Sequence, residues 1–485
     1  MRSQVRLVNV THVLPAGASP AGGGGAPPHA VGGDVIKLSF LDTTFVALTP
    51  LKRLFFYEGG DLPPFPDLVR SLQSSLATTL AAFTPLAGKL THRPAHDDVV
   101  IDCSAGAVSP GVMFVEAEYD HTHAAVDMLR LAGDDEHHTE AFKRLVPEMD
   151  VGRLPAPLLA VQVTRPARDG GGIVAIGVSI HHVVGDGQAV WQFMRAWSTA
   201  SREGSPAATV ATPVFDRKAV LRHPKDEELS RIFLRVFAPA LPLVNCSMFP
   251  EPDTARQWRK TYQLRPNQIQ SLKQQMLAMS ELAETKELTT MEAPTTHVAV
   301  LSLYWTSLVR AKFSSSVAGG GDGDVYFMIP GDLRRRLRPP VDDGYFGNCV
   351  KGCYLRASVA DLCAGDGLAR AAVAFQSAVR EHLERDDPLA DVARWSEPET
   401  KAPTKERIAQ VSSSHRFMAY ETDFGWGAPR RVELVSVYRM DVVALLAAAG
   451  GGVQVSVALD RAHKAAFESY FLPALNTESD SFLSV

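Results

Sequence analysis

Among the residues that could carry chemistry, His182 and Asp186 stand out by their setting in the run His181-His182-Val183-Val184-Gly185-Asp186-Gly187. An imidazole titrates near neutrality, so a histidine at a crevice edge can take a proton from a hydroxyl or an amine. An aspartate four residues on can orient that ring or pin the turn that carries it. Taken alone, the spacing fits a hydrogen-bonded histidine at a domain interface better than a base. Other clusters offer less. His121-Thr122-His123 and Asp134-Asp135-Glu136-His137-His138 lack a partner set at metal-ligand spacing and read as solvated loops. Cys349 and Cys353 have no second Cys/His pair with zinc spacing. No Gly-x-Ser-x-Gly elbow and no Walker loop occurs, so hydrolase and nucleotidase readings lack support.

The elements around the motif position it. Residues 158–164 and 172–181 are apolar and β-branched, and the turn formers from Arg165 to Gly171 make them a hairpin. In the second strand Val174, Ile176, Val178, Ile180 and His182 alternate onto one face, with Gly177, Ser179 and His181 on the other. The two histidines are therefore expected to point apart, His181 being the structural one. Gly185 and Gly187 permit a tight turn, and a helix follows with Val190, Phe193, Met194 and Trp197 along one side. The spacing predicts further helices over 67–83, 265–282, 294–313 and 366–384. Strands are expected near 324–330, 348–356, 414–421, 431–438 and 453–459.

A chain of 485 residues is too long for one ordinary core. It divides into a flexible segment (1–33), a first domain (34–200), a polar crossover linker (201–232) and a second domain (233–485). The composition, 46% hydrophobic and 21% charged, is globular, and a net charge of −5 argues against a nucleic-acid or anionic-membrane partner. Five cysteines, an odd and sparse set, read as reduced thiols. Asn9, Thr11 and His12 interrupt the first apolar stretch, so neither a signal peptide nor a membrane span is read there, and the cytosol is the expected location.

A second word, Asp423-Phe424-Gly425-Trp426-Gly427, follows late in the chain. With His-His-x3-Asp-Gly after a strand, it resembles the plant BAHD acyltransferases rather than peptide-synthetase condensation domains. The resemblance extends to Leu38-Ser39-Phe40-Leu41-Asp42, similar to the family's opening strand, and to Phe83-Thr84-Pro85-Leu86-Ala87-Gly88-Lys89-Leu90. It includes Pro213-Val214-Phe215-Asp216-Arg217, Asp332-Leu333-Arg334-Arg335-Arg336-Leu337 and Tyr345-Phe346-Gly347-Asn348-Cys349-Val350. It implies a two-domain α/β fold of the chloramphenicol-acetyltransferase type, with the active site in a channel between the domains. It also implies a metal-free monomer with acyl-CoA as co-substrate and no tightly bound cofactor. His182 would be the general base, acting without an acyl-enzyme, and Asp186 a structural residue paired to an arginine that the sequence does not identify. Asp423, Phe424, Gly425 and Gly427 would be structural and border the CoA channel. The Trp426 indole and the Thr49 hydroxyl are the two donors it offers to the oxyanion.

Within that family, Pro50-Leu51-Lys52-Arg53-Leu54-Phe55-Phe56-Tyr57 and Tyr345–Cys349 resemble the malonyltransferase branch, which acylates anthocyanin, flavonoid or other phenolic glucosides. A malonyl carboxylate would require a basic partner. The run Arg334, Arg335, Arg336 and Arg338 reads as a solvated face instead. The chain departs from the family where His297 replaces an aromatic residue and Val300 a hydroxyl residue. Hydroxycinnamoyl, acetyl or other CoA donors, and a non-catalytic metabolite-binding homologue, are the competing readings.

Overall fold

In the computed structural model, the described residues are 5–18, 34–120, 128–133, 136–137, 139–167, 172–204, 211–244, 253–282, 288, 291–318, 323–396, 404–435 and 440–476. His121, His123, Asp134, Asp135, His138 and Cys246 lie outside them. Three sheets organise the chain. The first runs in the order Val5–Val13, Val112–Tyr119, Leu159–Pro166, Ile173–Ile180, Leu51–Glu58 and Arg431–Leu434. The second runs Val350–Ser358, Asp324–Asp332, Ile408–Val411, Val442–Ala447, Val453–Asp460, Gln257–Leu264 and Glu136–His137. The third joins Val35–Lys37, Asp98–Asp102, Lys89–Arg93 and Ala156–Pro157.

Each of the two large sheets borrows an edge strand from the other half of the sequence. Arg431–Leu434 pairs antiparallel with Leu51–Glu58, and Glu136–His137 pairs with Gln257–Leu264. The halves are thus stitched by backbone hydrogen bonds as well as by packing.

Around the first sheet, helices Phe65–Ala82 and Gly187–Glu203 bury Leu72, Leu76, Leu80, Val190, Phe193 and Trp197 against Val174, Ile176, Val178 and Ile180. Ile173 and Ala175 face a separate cluster on the other side of that sheet, as strand alternation requires. Helix Thr296–Ala318 is apolar on every side and buried from Val298 to Val309. It forms the centre of the second half, which a helix lacking a polar face must do.

Several sequence expectations change. The segment read as flexible up to residue 33 opens with a strand, Val5–Val13, paired to Val112–Tyr119; polar Asn9, Thr11 and His12 break its apolar run but suit an edge strand. Leu38–Asp42 is no strand: Ser39 and Asp42 cap each other reciprocally, and this capping box starts the short helix Phe40–Thr43. The span 201–232 contains helix Arg217–Leu221 and the start of helix Asp226–Phe237, and the motif helix runs on to Glu203. The strand expected at 414–421 lies earlier, at Ile408–Val411, and Val442–Ala447 is an additional strand. His137, placed in a solvated loop by its polar neighbours, is buried beside Glu433.

Candidate active site

The hairpin strand ends at Ile180, before either histidine, so strand alternation does not itself aim His182. A single 3-10 turn, His182–Val184, does that work. The His181 ring is its cap, with Nδ1 accepting the Val183 N–H at 3.3 Å. Burial, then the neighbouring His182, holds the His181 ring down to about 3, so it is neutral and spent on structure. Gly185 is extended, at φ 175°, and is not there for a left-handed turn. Space requires it: a Cβ would stand 2.6 Å from the Ala189 Cβ. At Gly187 a Cβ would meet the Phe417 ring at 2.9 Å.

Asp186 caps the helix Gly187–Glu203, its Oδ1 accepting the Gln188 and Ala189 N–H groups at 3.1 and 3.2 Å. The same carboxylate takes a bidentate pair from Arg334, 2.8 and 3.0 Å, and the Cys349 N–H at 2.9 Å. Burial raises its pKa, but the Arg334 charge and these hydrogen bonds outweigh burial and hold the carboxyl below its ordinary value. Arg334 is therefore the partner that the sequence left unidentified. Reading its run as a solvated face was an error for this member, which is 4% exposed. A one-dimensional run of arginines does not tell which guanidinium turns inward.

A second buried carboxylate braces the turn from the other side. Asp42 accepts from Arg217 Nε at 3.3 Å, from the Asn348 backbone at 3.1 Å and from Asn348 Nδ2 at 2.9 Å. Asn348 Nδ2 also reaches the His182 and Val183 carbonyls, at 3.0 and 3.2 Å, and an Arg217 Nη donates to Val184 O at 3.0 Å. Every backbone carbonyl from His182 to Val184 is thus held by a side chain from elsewhere in the chain.

The His182 ring stacks on Phe45, with centroids 4.0 Å apart and planes 9° apart. It is enclosed by protein yet keeps accessible surface, as a residue on a crevice wall does. Its Nδ1 is buried, which leaves Nε2 to meet a substrate. Burial is the largest influence on its pKa and, with the Arg53 charge, lowers it to about 4 against the raising effects of its own carbonyl, Asp186 and Asn348. The ring is consequently neutral at physiological pH, the form a base requires. Thr49 is half-buried and stands two residues before Leu51, the residue that pairs with Ile180 at the end of the hairpin strand.

The second motif lies elsewhere. Asp423 Oδ1 accepts the N–H groups of Gly425, Trp426 and Gly427 at 2.7, 3.1 and 2.9 Å, with Gly425 and Gly427 at φ 104° and 91°, where a side chain would be strained. Phe424 is buried against Trp197 and Tyr57, and Trp426 packs on Tyr57 with centroids 5.5 Å apart. Ser201 and Arg202, at the far end of the motif helix, donate to the Phe424 and Asp423 carbonyls. That 17-residue helix is about 25 Å long. Tyr57 pairs with Val174, and the strand from there to Ile180 spans about 20 Å. Both rulers keep Trp426 away from His182, and its indole cannot serve an oxyanion there.

Among the described residues, no three His, Cys, Asp or Glu side chains are grouped to hold a metal ion, and no helix is long and apolar enough to cross a membrane. Cys349 and Cys353 are buried thiols, and burial pushes Cys353 up to about 11.

Comparison with known proteins agrees with this architecture. The chain is 29% identical to a phenolic glucoside malonyltransferase 1 of Bemisia tabaci, over 98% of this chain and 97% of that protein. It is 27% identical to a malonyl-coenzyme:anthocyanin 5-O-glucoside-6'''-O-malonyltransferase of Salvia splendens, over 93% and 94%. The crystal structure of vinorine synthase shares its fold, with a TM-score of 0.69, 18% identity, and coverage of 97% of this chain and 98% of that one. The Transferase family matches residues 27–472. This chain therefore belongs to that family, the BAHD acyltransferases, and is an acyltransferase that uses acyl-CoA.

Proposed function

We propose that the protein moves a malonyl group from malonyl-CoA to a hydroxyl of a phenolic, flavonoid or anthocyanin glucoside, with His182 as general base. The observation that carries the mechanism is the accessible, neutral His182 ring, stacked on Phe45 and held by carbonyl-directed side chains. The donor and acceptor rest on the relatives named above and on the Pro50–Tyr57 word.

In the proposed reaction the acceptor hydroxyl gives its proton to His182 Nε2 while its oxygen attacks the thioester carbonyl carbon. The carbonyl electrons move onto oxygen, where the Thr49 hydroxyl is the candidate donor that the family resemblance offers. Collapse of the tetrahedral species breaks the C–S bond, and the leaving thiolate takes the proton back from His182. A thioester is already activated, so no covalent nucleophile is needed. A positioned base contributes about 10²–10⁴-fold, and preorganised oxyanion donors add a comparable factor. Asp186 and the Asp423–Gly427 loop act as structural supports, the first of the turn and the second of the far end of the motif helix.

The test is release of free CoA thiol with malonyl-CoA against a panel of phenolic and flavonoid glucosides. Malonyl transfer in the wild type and its loss in His182→Ala are expected. A strong preference for an aromatic acyl-CoA would overturn the donor. Absence of thiol release across a broad donor and acceptor panel would overturn the catalytic reading and favour metabolite binding.

A further inference from the structure

A catalytic imidazole is commonly aimed by a carboxylate on the ring nitrogen that does not react. In this chain the neighbouring carboxylate is otherwise engaged. Asp186 takes two N–H groups of its own helix, the Arg334 guanidinium and the Cys349 N–H. The His182 carbonyl, Asp186 and Asn348 favour the protonated ring, but among the described residues no group meets the enclosed Nδ1 in hydrogen-bonding geometry. Arg53 opposes the protonated ring. The plane of the ring is thus left to packing.

What stacks on it is a phenyl group. The Phe45 and His182 rings lie nearly parallel, 9° apart in plane and 4.0 Å between centroids. Phe45 stands in the turn after helix Phe40–Thr43, its N–H donating to the Asp42 carbonyl at 3.0 Å and its carbonyl accepting from the Leu48 N–H at 3.2 Å. Asp42 is also the residue whose carboxylate, through Asn348, braces the carbonyls beneath His182. Both rings are therefore set by one scaffold, and neither is fully covered. An aromatic face is the negative lobe of the ring quadrupole. It attracts a cation within about 6 Å of its centroid, an effect of about 2- to 30-fold on an equilibrium or a rate. The imidazolium that forms when Nε2 takes the acceptor's proton lies within that reach. The attraction grows as the charge develops, so it favours the transition state over the bound substrates, which is the condition for raising turnover.

We propose that Phe45 is the positioning residue of the base: its face fixes the plane of the His182 ring and steadies the imidazolium formed during transfer. That is the work of the carboxylate in a Ser-His-Asp triad. The inference rests on His182 as general base, as proposed above, and adds to it the group that acts through the ring.

The test is the single-turnover rate of acyl transfer from malonyl-CoA to a phenolic glucoside, with the steady-state KM for both substrates. It compares the wild type with Phe45→Leu, Phe45→Tyr and proteins carrying mono-, di- or trifluorophenylalanine at position 45. Phe45→Leu should slow transfer about 10- to 100-fold, with each KM moving by less than about threefold. Phe45→Tyr, which keeps an aromatic face, should stay within about threefold of the wild type. Fluorination drains negative charge from the face while leaving the ring's shape nearly unchanged. The rate should therefore fall stepwise along that series, by about 2- to 30-fold in all, and the series serves if Phe45→Leu does not fold. A flat fluorine series overturns the inference, because packing alone would then explain the stack. A Phe45→Leu protein with a wild-type rate, or with only its KM raised, overturns it too and leaves the general base intact. Wild-type turnover in His182→Ala, or no thiol release by the wild type, defeats the general-base reading itself and the role of Phe45 with it.

Discussion

Two buried charge networks cross between the halves of this chain, and only one of them surrounds an accessible titratable group. The first links Asp42, Arg217, Asn348, Asp186 and Arg334 around the turn His182–Val184. The second centres on Glu433, of the borrowed strand in the first sheet. Its Oε1 accepts from Thr261 at 2.8 Å and its Oε2 from Ser456 at 3.4 Å; Arg259 lies 3.6 Å away and His137 Nε2 3.7 Å. Arg259 also donates to the Leu434 carbonyl. All of these side chains are buried, and each network is a tertiary clamp whose loss would leave an uncompensated charge. The difference lies in what the clamp holds. The Glu433 network closes on itself and fastens sheet to sheet. The Asp42 and Asp186 network fastens the backbone beneath a ring that still meets solvent, which converts rigidity into aim.

Removing the ring without touching the clamp should break the comparison most sharply. His182→Ala is expected to lower turnover by about 10²–10⁴-fold or more, with a melting temperature near that of the wild type; a large stability loss would make His182 part of the clamp. Cutting the clamp should do the reverse. Asp186→Ala strands Arg334 and three N–H donors, so a destabilisation of about 3–5 kcal/mol is expected in denaturant unfolding. A stable, normally active Asp186→Ala protein would remove its structural role.

Glu433→Gln should also destabilise, by about 3 kcal/mol or somewhat less because the amide still accepts hydrogen bonds. Activity per folded molecule should persist; a fall matching that of His182→Ala would erase the distinction between the networks. Acid should strain the first region early. His181 is held neutral in the fold but binds a proton in the unfolded chain below about 6.5. The unfolded state then carries more protons, so stability is full above that pH and declines as pH falls toward the folded value of about 3. The slope is about 1.4 kcal/mol per pH unit for each such group, and His181→Asn should flatten it in pH-dependent unfolding. The smallest effect is expected at Trp426→Phe, which keeps a ring on Tyr57: about 1 kcal/mol of stability and little change in initial rate. A loss of several hundredfold there would restore the indole to the reaction.

How much of this was legible in the sequence varies with the range of the interaction. Helices Phe65–Ala82 and Pro266–Glu281 and the hairpin before the motif follow from periodicity and turn formers, because packing along one face imposes a regular spacing. The short helix Phe40–Thr43 was obscured because its capping box lies in an apolar word that also suits a strand. The edge strand Val5–Val13 carries exposed Leu7, Val8 and Val10, so its pattern shows no buried face. His297 was visible as a departure, but its stacking partner was not, since His415 lies far along the chain.

By itself, the sequence determined the reaction class, because His182, Asp186 and the Asp423–Gly427 word are local patterns whose residue types carry the resemblance. It also separated His182 from His181, although by strand alternation when a 3-10 turn in fact makes the division. Only the tertiary structure decided that Arg334 alone of its run turns inward to Asp186, that Asn348 and Arg217 hold the carbonyls of the turn, and that Trp426 stands at the far end of the motif helix. Those are pairings between residues far apart in the chain. The direction of a guanidinium or an indole is set by which distant surface closes over it, and no local spacing encodes that.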